Sequence, residues 1–305
     1  MHIEKQFLLP KYWGIWLFVG FAKLFVLLPY KTQMHIGRWL GRISYPLLKR
    51  RKKIAIVNLK IAFPDKTDKE LDALAKKCFE SVSMSGVEMM IAWFMPKKHF
   101  DKIKFDGHGM EHFESAHQDD NHGTLLLGSH FTCMEMIGRY IGEHYDPFYL
   151  VYQKHKNDLF EKVMTGSREG YVTKALQRKN VVSIVKHLKR KGSVWYAPDQ
   201  DFGNERSIFV PFFGKACATL TATALLAKLT GAKVVPCYYI RKEDLSGYDI
   251  YVLPALENFP TGDDYQDALR YHEILEKAIL AFPDQYLWQH RRYKTRPEGE
   301  ESLYE

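Results

Sequence analysis

TLLLGSHFTCME, residues 124–135, joins a short apolar run to the start of an amphipathic stretch. The run 124–129 has the length of a buried strand rather than a helix, and residues 131–144 follow helical spacing. The exchange repeats downstream. Strand-like runs fall at 148–153, 193–197, 233–241 and 248–254, and helical ones at 181–191, 219–230 and 263–281. Gly192 and Gly231 end two of those helices, as glycine does where the backbone turns left-handed. Strands alternating with helices predict an α/β fold with a mainly parallel central sheet flanked by helices on both faces. Sites in such sheets lie beyond the carboxyl ends of the strands.

That rule points to His130, at the strand-to-helix turn. An alcohol becomes a good nucleophile when a base takes its proton, and a histidine titrating near neutrality suits that task. A carboxylate on the other ring nitrogen fixes the tautomer and balances the imidazolium. Glu135 lies five residues on. On a continuous helix the two would stand about 140° apart. With His130 in the turn before the helix, its ring can fold back toward Glu135. The pair His130 and Glu135 is therefore the expected catalytic unit.

Upstream, residues 65–93 read as helix, with Thr67 and Glu70 spaced as a capping box. Residues 107–123 are polar and histidine-rich and read as loops and short elements. Residues 12–29, YWGIWLFVGFAKLFVLLP, carry one charge, Lys23. About 20 apolar residues cross a bilayer core, so this stretch is expected either to span or to lie in the interface. No small-residue cleavage site follows it, which disfavours a signal peptide. Ile36, Trp39, Leu40, Ile43 and Leu47 continue at helical spacing among basic residues.

Net charge is +8, and the excess is local. Between Lys31 and Lys53 lie eight basic and no acidic residues; without them 36 basic residues face 36 acidic ones. A basic flank after an apolar segment is what the positive-inside rule expects of a cytoplasmic side. It suits an anionic membrane surface better than nucleic acid. The chain divides into an anchor (1–30), a basic amphipathic interfacial segment (31–64) and an α/β catalytic domain (65–305).

Four cysteines form no CxxC pair and read as reduced thiols. His108, His112, His117 and His122 lack an HExxH arrangement, so no metal is expected. Ser129 lacks the GxSxG elbow of a serine hydrolase. No phosphate-cradling glycine loop occurs, and no cofactor is expected.

The segments LLLGSHFTCMEM, VWYAPDQDFG, IFVPFFG and YLWQHRRYKTRPEG, with NLKIAFP at 58–64, resemble the late acyltransferases of lipid A biosynthesis nearly end to end. HRRYKTRPEG is most similar to the lauroyl-type branch. The resemblance implies a glycerolipid acyltransferase-like fold, with Glu135 where the wider superfamily has Asp. It implies a donor, an acyl chain on acyl carrier protein, and an acceptor, a 3-hydroxyacyl hydroxyl of the lipid A precursor Kdo2-lipid IVA. Transfer would use His130 and Glu135 with no covalent intermediate, and an apolar tunnel would measure the chain. Laurate, myristate, palmitate and palmitoleate stay open, as does the acylated position. The implied location is the inner membrane of a Gram-negative bacterium, with the catalytic domain cytoplasmic.

Further site residues follow. Arg168 in TGSREG resembles an arginine near the family's active site, where it would hold a phosphate or an oxyanion. Asp199 and Asp201 follow a strand end and orient either the acceptor sugar or the loop itself. Asn157 and Tyr152 are placed in the same cleft. The basic set Lys174, Arg178, Lys179, Lys186, Lys189, Arg190 and Lys191 either docks the acidic carrier protein or is a solvated face. Arg291, Arg292, Lys294 and Arg296 are expected at lipid phosphates or Kdo carboxylates. Two other readings are an acyltransferase for another membrane lipid and a catalytically silent lipid-binding protein on the same fold.

Overall fold

The computed structural model describes residues 4–205 and 207–304. Residues 1–3 of the expected anchor, and residues 206 and 305 of the expected catalytic domain, lie outside them. After two short 3-10 turns come α1 (Trp13–Phe25), α2 (Tyr30–Leu47) and α3 (Lys49–Ala62). The long α4 (Asp68–Phe94) opens with the expected capping box, Thr67 and Glu70 each accepting from the other's backbone N–H. Then come α5 (Lys97–Phe100), β1 (Lys104–His108), α6 (Met110–His117), β2 (Thr124–Leu127), α7 (Met134–His144), β3 (Phe148–Tyr152), α8 (Asp158–Arg168) and β4 (Lys174–Gln177). The chain continues through α9 (Val181–Lys189), β5 (Ser193–Tyr196), β6 (Ser207–Phe212), β7 (Lys215–Leu220), α10 (Ala222–Thr230), β8 (Lys233–Arg241), β9 (Gly247–Val252) and α11 (Asp264–Ala281).

The main sheet has the order β1-β9-β8-β2-β5-β3-β4. Strands β8, β2, β5, β3 and β4 are parallel, while β9 returns antiparallel to β8 and pairs in parallel with β1. Leu125, Leu126 and Leu127 are each at most 1% exposed. Neighbouring strand residues point to opposite faces, so both faces of the sheet are covered. This is the mainly parallel α/β architecture the alternation predicts.

The hairpin β6–β7 has no counterpart in the sequence reading, which places residues 219–220 in a helix. Its turn puts Phe213 and Gly214 at φ 48° and 71°. Left-handed backbone at both central positions matches the twist of a tight hairpin. Thr219 and Leu220 are drawn into β7 by pairing with Ile208 and Ser207.

Of the two expectations for 12–29, spanning or lying in the interface, the spanning one finds no helix to carry it. α1 stops at Phe25, and a new helix starts after Pro29. Thirteen residues rise about 20 Å, against a hydrocarbon core of about 30 Å. No helix among the described residues is long and apolar enough to cross a membrane. α2 instead lies close on α4. A Cβ on Gly41 would stand 2.4 Å from Glu80 Cα, and one on Gly37 3.0 Å from Met84 Cα, so glycine is what permits the approach. The opposite face of α2 leaves Trp39, Leu40, Ile43 and Leu47 exposed.

Candidate active site

The site is set by the register of two neighbouring strands. Leu127 of β2 pairs with Tyr196 of β5, and both chains run on past the sheet's edge. Three residues further, the two ends bring His130 and Asp199 together. His130 Nδ1 lies 2.7 Å from Asp199 Oδ1, and His130 N donates to Asp199 Oδ2 at 2.9 Å. The Asp199 side chain is fully buried, while that of His130 is 20% exposed. Burial alone would raise the Asp199 pKa. The charge of His130, its two hydrogen bonds and the nearby Arg292 outweigh that and hold the carboxyl down to about 2. An ionised carboxylate accepts only, so Nδ1 carries a proton in this contact, and in the neutral ring Nε2 is then the acceptor.

The Glu135 carboxylate, expected on the His130 ring, lies in other contacts. α7 begins at Met134, so residues 130–133 form a turn and Glu135 sits in the first helical turn. Its side chain points into a different set of donors. Arg168 binds it through Nη2, and through Nε at 3.3 Å. Trp93 Nε1 donates at 3.1 Å and Tyr171 Oη at 3.4 Å. Burial works against the charge on Arg168, but the Glu135 carboxylate more than offsets it and holds its pKa above the ordinary value. Arg168 and Glu135 are thus a nearly enclosed ion pair.

Other expected site residues are occupied elsewhere. Asn157 caps α8, its Oδ1 accepting from Leu159 N and Phe160 N at 3.1 and 3.2 Å. Tyr152 donates to Glu161 at 2.6 Å. Asp201, its side chain fully buried, accepts from Gly203 N, Thr295 N and Thr295 Oγ1 at 2.9, 2.7 and 2.8 Å. These contacts tie Asp201 to its own loop and to Thr295.

The carboxy-terminal arginines divide. Arg292 is 3% exposed and donates to Ala218 O, Thr219 Oγ1 and His272 Nε2, so it braces the interior rather than facing a lipid. Arg296 donates to Ala216 O and binds Glu300. Lys294 stays exposed. The basic set on β4 and α9 also splits. Lys174 starts β4 and Lys189 ends α9, on the edge away from His130, whereas Arg178 follows β4 on the near edge and lies 4.3 Å over the Phe202 ring.

Hollows among the described residues include two. One, lined by Pro198, Leu220, Ala224, Phe259, Ala268 and Tyr271, begins beside Asp199. The other is lined by Lys97, Phe100, Phe105, Tyr140 and His144. Neither lining includes His130, Glu135 or Arg168. The histidines weighed as metal ligands are dispersed, His108 on Asp249, His117 on Ser193 and His122 on Asp119.

Residues 1–295 match the family model described as bacterial lipid A biosynthesis acyltransferase. The chain is 40% identical over 302 residues to the lipid A biosynthesis palmitoleoyltransferase of Escherichia coli K12, covering 99% of this chain and 97% of that protein. It is 38% identical over 296 residues to the lauroyltransferase of the same organism, covering 97% and 96%. To its myristoyltransferase it is 29% identical over 304 residues, covering 99% and 93%. The chain belongs to the bacterial lipid A biosynthesis acyltransferase family and is an acyltransferase of that biosynthesis.

Proposed function

We propose that the protein moves a fatty acyl chain from acyl carrier protein to a 3-hydroxyacyl hydroxyl of Kdo2-lipid IVA, with His130 as general base. The observation that carries this reading is the carboxylate of Asp199 on Nδ1 of His130 at 2.7 Å, which leaves Nε2 as the proton acceptor. Nε2 takes the hydroxyl proton as the oxygen attacks the thioester carbonyl, and Asp199 balances the imidazolium. The collapsing tetrahedral intermediate expels the carrier thiolate, which His130 protonates. No atom of the enzyme is acylated. Glu135 acts through Arg168, whose cation it orients at the wall of the site toward acceptor phosphate or the developing oxyanion.

The same reading places the enzyme at the inner membrane as a monotopic protein. Trp13, Leu17, Phe21 and Leu24 form an exposed stripe on α1 at helical spacing, and Trp39, Ile43 and Leu47 form a second on α2. Exposed Lys11, Lys23, Lys31, Arg42, Lys49, Arg50 and Lys53 lie among them. Apolar stripes rimmed by cations suit an anionic bilayer surface. Both α1 and α2 pack on α4, whose Trp93 holds Glu135.

The test is mass spectrometry of the product formed from purified Kdo2-lipid IVA and a mixture of acyl carrier protein donors. The expected result is one added acyl chain at a hydroxyacyl oxygen. Absence of transfer with bound lipid would favour the silent lipid-binding reading.

A further inference from the structure

The turn that carries His130 has no regular secondary structure of its own, yet it is tied down from both sides. Phe131 forms a β-bridge with Tyr286, Thr132 N donates to Gln285 O at 2.8 Å, and Leu287 N donates to His130 O at 3.2 Å. Gln285 is in turn locked to Arg241 of β8. Arg241 N donates to its Oε1, and its Nε2 donates to Arg241 O, both at 2.8 Å. A second route runs through side chains. Thr132 Oγ1 lies 2.7 Å from Ser81 Oγ, which accepts from Arg241 Nη1 at 3.3 Å. Both routes meet at Arg241.

Arg241 is 3% exposed and Glu88 0%, and they pair in a fork, Nε to Oε1 at 2.7 Å and Nη2 to Oε2 at 2.6 Å. Tyr248 donates to Glu88 at 2.6 Å, and Tyr30, the first residue of α2, donates to Tyr248 at 2.9 Å. A buried ion pair is weak evidence of stabilisation, because desolvation offsets its Coulomb gain. What a fully bonded one does supply is a fixed geometry.

We infer that Arg241 is a positioning residue for acyl transfer: fixed by Glu88, it holds the turn 130–132 in register through Gln285 and through Ser81–Thr132, and so aims the His130 ring. The inference rests on His130 as the base. A base must sit within hydrogen-bond reach of the proton it takes, and small misplacements cost large factors in rate.

The test leaves the buried pair intact and cuts the hydroxyl bridge. Thr132→Val and Ser81→Ala each remove one hydroxyl, and Thr132→Ser keeps it. The readouts are kcat, KM for precursor and for acyl carrier donor, and Tm. Thr132→Val and Ser81→Ala are expected to lower kcat by about tenfold or more while each KM stays within about twofold. Thr132→Ser is expected to restore kcat, and the double variant to lose no more than the worse single one, since both cut one bridge. Unchanged kcat in both single variants overturns the inference, as does a kcat loss that Thr132→Ser fails to rescue. His130→Ala separates the underlying reading: full activity there would remove the base itself, whereas an inactive His130→Ala beside unaffected bridge variants removes only the positioning role.

Discussion

His130 and Asp199 stand 69 positions apart in the chain and 2.7 Å apart in space, whereas Glu135, five positions from His130, faces Arg168 instead. Asp199→Asn therefore separates two accounts of the base. The amide preserves shape but loses the charge that balances the imidazolium, and it lets the ring adopt the wrong tautomer. Expected is a fall in kcat of about 10²–10⁴-fold for Asp199→Asn and a comparable fall for His130→Ala, measured as radiolabelled acyl transfer. An Asp199→Asn enzyme within a few-fold of the parent would return the orienting role to another group.

The Glu135–Arg168 pair calls for a different experiment, because its loss acts on stability and turnover together. Removing one partner from an enclosed ion pair strands the other charge, at about 3–5 kcal/mol. Glu135→Leu alone and Arg168→Met alone should each lower Tm by several degrees. The Glu135→Leu/Arg168→Met double variant should regain most of that stability while staying slow. Recovery of both Tm and kcat in the double variant would make the pair purely structural.

Much of the fold is legible in the alternation of short apolar runs with helical stretches, because a strand buried on both faces is apolar throughout. TLLL and SVWY show this directly, each being buried along its length. The hairpin β6–β7 escapes that reading since its residues are half-buried and follow neither period cleanly. The site is less legible. His130 follows from its place at a strand end, but its partner depends on which strand lies beside β2, and strand order is a property of the assembled sheet. Given the neighbour β5, the Leu127–Tyr196 register leads directly to Asp199. Glu135 is near His130 in sequence, but a helix that begins at Met134 turns its side chain to Arg168 instead. Across 12–29, hydropathy counts apolar residues but does not register that the helix ends at Phe25.

Acid should unfold the protein in two stages. His272 and His290 ordinarily titrate near about 6.5. In the fold, burial first, joined by Arg292, pushes His272 down to about 3, and burial likewise pushes His290 down to about 4. His272 Nε2 accepts from Arg292, and His290 Nε2 accepts from Asp201 N, so both rings are held neutral. Between about pH 4 and 6.5 the unfolded chain binds more protons, so stability falls as pH falls through that window, by on the order of 3 kcal/mol for each site. Asp199, held near pKa 2, adds its loss below about pH 4, since its stabilising contribution needs the ionised form. Thermal unfolding from pH 8 to 4 should show Tm falling below about pH 6.5, and His272→Gln should flatten that slope. A variant curve parallel to the parent's would exclude His272 as a source.

The exposed stripes on α1 and α2 lead to a prediction about the membrane that depends on reach rather than on spanning. Leu17, 75% exposed, and Phe21, 57% exposed, lie one turn apart on the outer face of α1, while Val19 and Ala22 are buried against the body. Replacing Leu17 and Phe21 by Asp therefore leaves the packed side of the helix untouched. Full burial of one such side chain is worth about 1.5–3 kcal/mol, so two should weaken binding to anionic vesicles by about 10²-fold or more. Lys49, Arg50 and Lys53 add about 1 kcal/mol each near an anionic surface, and that part should fade with salt while the apolar part persists. Vesicle flotation at low and high ionic strength measures both, with turnover on precursor in detergent micelles as the control for an intact site. Retention of tight binding by the Leu17→Asp/Phe21→Asp enzyme would move the membrane contact off α1.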